Sequence, residues 1–249
     1  MNLDGQVALV TGGNRGIGKA IAIELASRGA AVAVQYFSDA TRADEVVSAI
    51  KAQGGTGLAV QADVRKRDDV KAMIDVCERN LGSVDILING ARQIGAKKPF
   101  LELDWSDYEP QIETILQGAF NCCQAVLPAM IEKKHGRVIS LLSAALAEPD
   151  WRWHTYAAAK GALFFFSRNL ASEMGSHGIT VNMISPGFVP TGRTSPHSNE
   201  YMEDYSRQTP VGRLGRPDEI AKAVAFLASD DAAFITGANL PVVGGKVMF

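Results

Sequence analysis

Residues Gln6 to Ala26, QVALVTGGNRGIGKAIAIELA, constrain this chain more than any other stretch. QVALV is a short, almost unbroken apolar run, the pattern of a strand buried on both faces of a sheet. It passes straight into Thr11-Gly12-Gly13-Asn14-Arg15-Gly16-Ile17-Gly18, after which Ile17, Ala20, Ile21, Leu25 and Ala26 recur at helical spacing. Glycines let a backbone turn tightly and approach a ligand, and the free N–H groups of the following helix favour an anion such as a pyrophosphate. The segment predicts a bound nucleotide, with a dinucleotide as the first choice.

Spacing narrows the choice. The glycines fall as Gly12-x-x-x-Gly16-x-Gly18, so the fingerprint G-x-G-x-x-G is absent. Gly13 to Lys19 reads G-x-x-x-x-G-K, which approaches an ATP-binding phosphate loop. The next residue is Ala20, where that loop needs a hydroxyl for magnesium. A glycine turn without a ligand would cost chain entropy for no evident structural return.

At 249 residues the chain suits one large α/β domain spanning 1–249, or at most two small ones. With 25 basic and 27 acidic residues it offers no electrostatic attraction for nucleic acid or a membrane surface. No apolar run reaches the roughly 18 residues of a membrane span, and MNLDGQVALV reads as a first strand rather than a signal peptide. Cys77, Cys122 and Cys123 are spaced for neither a disulfide framework nor zinc. Buried free thiols, no metal and a cytoplasmic setting are the expectations.

Strand and helix alternate throughout, as in a parallel sheet covered on both faces. After the first strand, further strands are expected at Ala30 to Tyr36, Thr56 to Ala62, Val84 to Ile88, Arg137 to Leu142, Ile179 to Ile184 and Asn239 to Val243. Helices include Asp68 to Leu81, Ser106 to Lys133, Thr155 to Gly175 and Pro217 to Ser229. Phe188 to Arg216 shows no clear period and is rich in Pro, Gly, Thr and Ser, which marks a substrate loop or lid at about 188–216. The sum is a doubly wound α/β domain of about seven strands, with ligands expected at the C-terminal strand ends.

The chemistry follows the fifth strand. Tyr156 and Lys160 lie four apart at the start of a helix and so share one face. A phenol of ordinary pKa near ~10 exchanges protons poorly at neutral pH, and a neighbouring ammonium favours its ionised form. Ser143 ends the preceding strand, where its hydroxyl could hold a carbonyl oxygen beside the phenol. Taken alone, Y-x-x-x-K is as well read as a solvated surface pair. Its place after a nucleotide-binding half and a strand-end serine reverses that reading.

These motifs together resemble the single-domain branch of the short-chain dehydrogenase/reductase family, with an overall look closest to 3-oxoacyl carrier-protein reductases. The residues that carry the resemblance are Thr11 to Gly18, Ala62-Asp63-Val64 and Asn89. Ser143, Tyr156 and Lys160 follow, then Ser185-Pro186-Gly187 with Thr191, and Gly244-Gly245. The resemblance implies a Rossmann-type fold and a nicotinamide cofactor across the strand ends. Gly12, Asn14, Arg15, Gly16, Ile17 and Gly18 would then meet its phosphates, Asp63 and Val64 its adenine, and Asn89 its path. Pro186, Gly187 and Val189 would line the nicotinamide, and Thr191 would reach its carboxamide or the phosphates. Tyr156 would be the general acid/base, Lys160 would hold the nicotinamide ribose and favour the phenolate, and Ser143 would position the substrate oxygen.

Three departures stand out. Ile115 occupies the position where the family carries an Asn that helps hold a relay water, and an aliphatic side chain can neither donate nor accept. Gln111 lies one turn earlier. Asn89-Gly90-Ala91-Arg92 replaces the family's N-N-A-G, so that Arg92 either turns to solvent or meets an anionic group. Val243-Gly244-Gly245 lacks the usual acidic residue before the glycines.

Cofactor choice rests on two places. Val34-Gln35-Tyr36-Phe37-Ser38 has no carboxylate directly after the second strand, the position that NAD-preferring proteins use for the ribose; the first acid is Asp39. Arg15 matches the basic residue that NADP-selective relatives carry in the glycine turn, where a 2′-phosphate makes a strong charge-assisted contact. NADP is therefore expected over NAD.

Leu146, Trp151, Trp153 and His154 precede the tyrosine, and Phe188, Tyr201, Met202 and Tyr205 follow in the loop. They predict an apolar, aromatic pocket without an evident charge clamp apart from Arg92, Arg152 or Arg193. A small carbonyl or alcohol fits, as a 3-oxoacyl thioester, a short ketone or a cyclic alcohol. The helix after Tyr156 carries Phe164-Phe165-Phe166, Leu170 and Met174, and the one before it Leu116, Phe120, Val126 and Met130. This apolar excess suggests subunit contact, and the family pairs through these two helices as dimers or tetramers. The opposing expectation is a nucleotide-binding or sensing protein whose catalysis is impaired, motivated by Ile115 and Arg92.

Overall fold

The computed structural model of the chain describes residues 1–192 and 198–247. Seven strands form one parallel sheet: β1 (Val7–Val10), β2 (Ala31–Tyr36), β3 (Gly57–Gln61), β4 (Ile86–Asn89), β5 (Gly136–Leu141), β6 (Ile179–Pro186) and β7 (Asn239–Val242). Their order is 3-2-1-4-5-6-7. The order reverses between β1 and β4, which pair with Ala8 opposite Ile86 and Val10 opposite Ile88. Loops leaving neighbouring strands at such a switch point part to opposite faces and open a crevice.

The helices are α1 (Gly16–Ser27), α2 (Ala40–Ala52), α3 (Arg67–Asn80), α4 (Trp105–Ile112), α5 (Gly118–Lys133), α6 (His154–Met174), α7 (Asn199–Gln208) and α8 (Pro217–Ala228). Period-2 alternation in the strands sends successive side chains to opposite faces. Ala8 and Val10 join Ile21 and Leu25 of α1, Val46 and Ile50 of α2 and Val224 of α8 in one core. Val7 and Leu9 join Met73 of α3, Cys122, Val126 and Met130 of α5 and Met174 of α6 in the other. Each fully buried Leu or Ile among these contributes about 1.5–3 kcal/mol of transfer free energy.

Every expected strand is present, with ends moved by one or two residues. β4 starts at Ile86 rather than Val84, and at its entrance the Asp85 carboxylate takes the place of a backbone acceptor. It accepts from the Val7 N–H at 2.9 Å and from Lys133 Nζ at 2.7 Å.

Two helical expectations need correction. The single helix expected over Ser106 to Lys133 is α4, a wider π-helical segment (Glu113–Gln117) and α5, running on without a break. Pro110 removes one N–H from the α4 ladder, and the π segment turns Ile115 inward. Composition would let this joined helix cross a membrane, yet Cys122, Cys123, Val126 and Met130 are packed in the core. The stretch 188–216, expected to lack regular structure, contains α7, capped by Ser198 Oγ accepting from the Tyr201 N–H at 3.1 Å. None of its residues is buried, and its apolar stripe is the half-buried Tyr201, Met202 and Tyr205.

Candidate active site

The glycine turn caps the crevice beside β1. Gly12 and Gly16 adopt φ of +64° and +54°, open to glycine at little cost. A Cβ on Gly18 would fall 2.2 Å from the Gly12 carbonyl oxygen, so α1 approaches the turn as closely as it does only without a side chain there. Gln35, buried in β2, supports the turn from beneath. Its Oε1 accepts from the Gly12 N–H at 2.7 Å, and its Nε2 donates to the Ala62 carbonyl at 2.7 Å. Thr11 ties the turn to the next strand end: its Oγ1 donates to the Ile88 carbonyl and accepts from the N–H groups of Gly90 and Ala91. Asn14 donates from Nδ2 to the Asp39 carbonyl at 3.2 Å.

Arg15 occupies the N-cap position of α1, and Ile17 lies in that helix's first turn. Arg15 Nη2 is 4.0 Å from the Asp39 carboxylate, which also receives Arg42 Nε at 3.2 Å. Two guanidinium groups thus share one carboxylate at this edge. Asp63 and Val64 follow β3 as expected, and both are buried. The Asp63 carboxylate already accepts from Arg65 Nε at 2.8 Å and Nη2 at 2.7 Å, and this pairing holds it below the usual carboxylate range. Asn121 of α5 fixes the same corner by donating to the Val64 and Arg65 carbonyls.

On the far side of the crevice, Asn89 ends β4. Its Nδ2 donates to Cys123 Sγ, while its buried Oδ1 has no hydrogen-bond partner among the described residues. The strap leaving β6 begins at Pro186 and Gly187, passes buried Val189 and returns to the glycine turn. A Cβ on Gly16 would lie 3.3 Å from the Thr191 methyl. Arg193, one of the cations expected near the pocket, lies outside the described residues.

Ser143 follows the end of β5, and Tyr156 and Lys160 lie together on the first turns of α6. Ser143 caps a short 3-10 turn, its Oγ accepting from the Ala145 N–H at 3.2 Å, so its own proton stays available to an oxygen. Lys160, one turn after Tyr156 on α6, is 2 % exposed. Its Nζ donates to the Leu141 carbonyl and lies 5.7 Å from the centre of the Tyr156 ring. Burial, aided by the Arg92 charge, brings Lys160 down to about 7. Arg92 is therefore exposed to solvent and also electrically close to this lysine.

The departures have defined places. Ile115 is buried in the apolar cluster that also holds Tyr156, Leu142 and Leu163. Gln111 is buried with Oε1 unpartnered, as is Thr155 Oγ1, and both side chains border Gly95. The pocket wall is aromatic: Trp153 stacks at a tilt on Tyr156 with centres 5.7 Å apart, and Phe188 packs on Tyr201 and Tyr205. Tyr205 Oη accepts from the Phe188 N–H, which docks α7 on the strap. His154 faces away to Phe100, at 5.8 Å between rings. Arg152 is bound by Asp150 through both carboxylate oxygens and is no clamp for a ligand. The three cysteines are buried free thiols, and burial pushes Cys77 and Cys123 up to about 12 and Cys122 higher still.

Sequence reading missed Gln35, Asn121 and Thr11 as supports. For Gln35 the signal was a lone amide in the otherwise apolar strand AVAVQY.

Three comparisons bear on this arrangement. Residues 12–246 match the family model described as enoyl-(acyl carrier protein) reductase. The chain is 40% identical over 241 residues to the 3-oxoacyl-[acyl-carrier-protein] reductase FabG of Staphylococcus aureus, covering 97% of this chain and 98% of that one. It is also 40% identical over 248 residues to FabG of Escherichia coli, covering 100% of both. Among solved structures it resembles a 7α-hydroxysteroid dehydrogenase complexed with NADH and 7-oxo glycochenodeoxycholic acid. The TM-score is 0.94 at 35% identity, covering 100% of this chain and 96% of that one.

Proposed function

The chain belongs to the short-chain dehydrogenase/reductase family of oxidoreductases, and from that premise we propose that it moves a hydride between NADP(H) and a carbonyl or secondary alcohol. A 3-oxoacyl thioester and a small apolar ketone are the leading substrates. The observation that carries this reading is buried Lys160 beside the Tyr156 ring, with its Nζ on the carbonyl of Leu141, two residues before Ser143.

A nicotinamide dinucleotide fits the crevice. Glycines stand where a Cβ at Gly18 would strike the Gly12 carbonyl, and the buried Asn89 Oδ1 awaits a donor. Gly12 to Gly18 would take the phosphates, Asp63 and Val64 the adenine, and Pro186, Gly187, Val189 and Thr191 the nicotinamide end. When bound, the nicotinamide supplies or accepts the hydride. The protein's part is the proton and the geometry. Ser143 Oγ donates to the substrate oxygen, and the Tyr156 hydroxyl gives that oxygen a proton during reduction or removes one during oxidation. Lys160 Nζ, oriented by the Leu141 carbonyl, lies beside the phenol, where its protonated form favours the phenolate. Trp153 and the Phe188–Tyr201–Tyr205 cluster shield the site from water.

Arg15 and Arg42 around Asp39 support NADP over NAD, since two guanidinium groups against one carboxylate leave a positive balance for a 2′-phosphate. Exposed Phe120 of α5 and Phe165 of α6, each on a helix otherwise packed in the core, support assembly into dimers or tetramers through these helices. One observation favours a second reading. Ile115 surrounds the tyrosine's inner side with hydrocarbon, which suits a nucleotide-binding or sensing protein with impaired turnover. NADPH oxidation against ketones, aldehydes and 3-oxoacyl thioesters separates the two. Turnover on any class supports the oxidoreductase, and tight NADPH binding with none supports the sensor.

A further inference from the structure

The loop from β4 to α4 places a second cation, that of exposed Lys97, beside Trp153, and the proton-transfer machinery does not use it. Lys97 Nζ sits 4.6 Å from the centre of the Trp153 ring, and that ring is 5.7 Å from the ring of Tyr156. The Trp153 ring thus neighbours both the ammonium and the reacting phenol. Attraction between an ammonium and the face of an indole holds the flexible side chain in place. Among the described residues Lys97 has no ion-pair partner. Of the acids nearby, Asp150 is held by Arg152 and also feels the Lys97 charge, and Glu148 pairs with Lys246 at 3.5 Å.

We infer that the pocket selects a carbonyl or alcohol substrate that carries an anionic group, with Lys97 receiving that group across the face of Trp153. The substrate class is an oxo- or hydroxy-acid whose reacting carbon and carboxylate are joined by a flat apolar body about the width of an indole. A substrate oxygen at Ser143 and Tyr156 fixes one end, the Trp153 ring takes the body, and the ammonium takes the carboxylate. The inference rests on Tyr156 as proton donor, and it adds a specificity-determining residue to that reading. A charge-assisted contact of this kind is expected to change affinity by about tenfold or more.

Two probes differ only in the charge: 4-acetylbenzoate and its methyl ester. NADPH oxidation by the wild-type protein should show a KM about tenfold lower for the acid, with kcat similar for both. In Lys97→Met the ratio of the two KM values should approach one, the change lying in KM rather than kcat. Quenching of tryptophan fluorescence by each probe, with NADP⁺ present, gives affinities that do not depend on turnover. Equal affinities for acid and ester in the wild type overturn the inference, as does a preference that survives Lys97→Met. Acid-selective, Lys97-dependent quenching without oxidation of NADPH upholds the anion site and counts against the hydride-transfer reading. Turnover of both probes with no preference upholds hydride transfer and removes the anion site.

Discussion

Lys160 does not point freely at Tyr156: it donates to the Leu141 carbonyl and passes 5.7 Å from the phenol ring, buried to within 2 %. A single hydrogen-bonded ammonium in that setting is costly to keep charged. Its departure from the lysine value of 10.5 to about 7 has a consequence for stability. Between those two values the unfolded chain holds the proton and the folded one does not, so stability rises with pH across this window. The penalty is at its full size below about 7. Melting curves of cofactor-free wild type and Lys160→Met at a series of pH values should show the variant's relative advantage shrinking as pH climbs from 7 towards 10. A pH-independent difference would mean that Lys160 is not buried as a strained charge.

Tyr156→Phe removes the hydroxyl and keeps the ring that packs on Trp153. NADPH affinity should stay within about twofold, while kcat falls at least ~100-fold, the usual share of a positioned general acid. Cofactor titration and steady-state rates measure the two separately. Near-normal turnover in this variant would end the assignment of the acid.

Arg15→Ala should weaken NADPH by about 1.5–3 kcal/mol, the range for hydrogen bonds to a charged group, and NADH much less. Arg42 shares Asp39 with Arg15, so Arg42→Ala should produce a smaller loss of the same kind. Added salt should narrow the gap between the cofactors. Equal losses for NADPH and NADH would show that Arg15 only shapes the turn.

Gln35→Leu strips the Gly12 N–H and the Ala62 carbonyl of their partner together. Each buried group left unsatisfied costs about 1–3 kcal/mol, which for a domain of this size lowers Tm by roughly 5 °C or more. Differential scanning fluorimetry reads the loss, and NADPH should restore less Tm than it does for the wild type because the glycine turn itself loosens. An unchanged Tm would remove Gln35 as its support.

The alternation of apolar strands and amphipathic helices was local information, and it was enough to place seven strands, their parallel sense and the glycine turn. The tyrosine–lysine pair was legible for the same reason, because residues four apart on a helix share a face whatever surrounds them. Contacts between distant segments were not. The approach of Arg15 to Asp39, the return of Thr191 to Gly16 and the Gln35 bonds to Gly12 and Ala62 depend on where distant segments meet. The π segment that turns Ile115 inward breaks the 3.6-residue period on which helix reading rests, and α7 is a short polar helix set among Pro, Gly, Thr and Ser. Lys97 reads in the sequence as one more surface lysine, and only the fold lays it over Trp153. Secondary structure follows from nearest neighbours along the chain, whereas charge balance and pocket shape follow from neighbours in space.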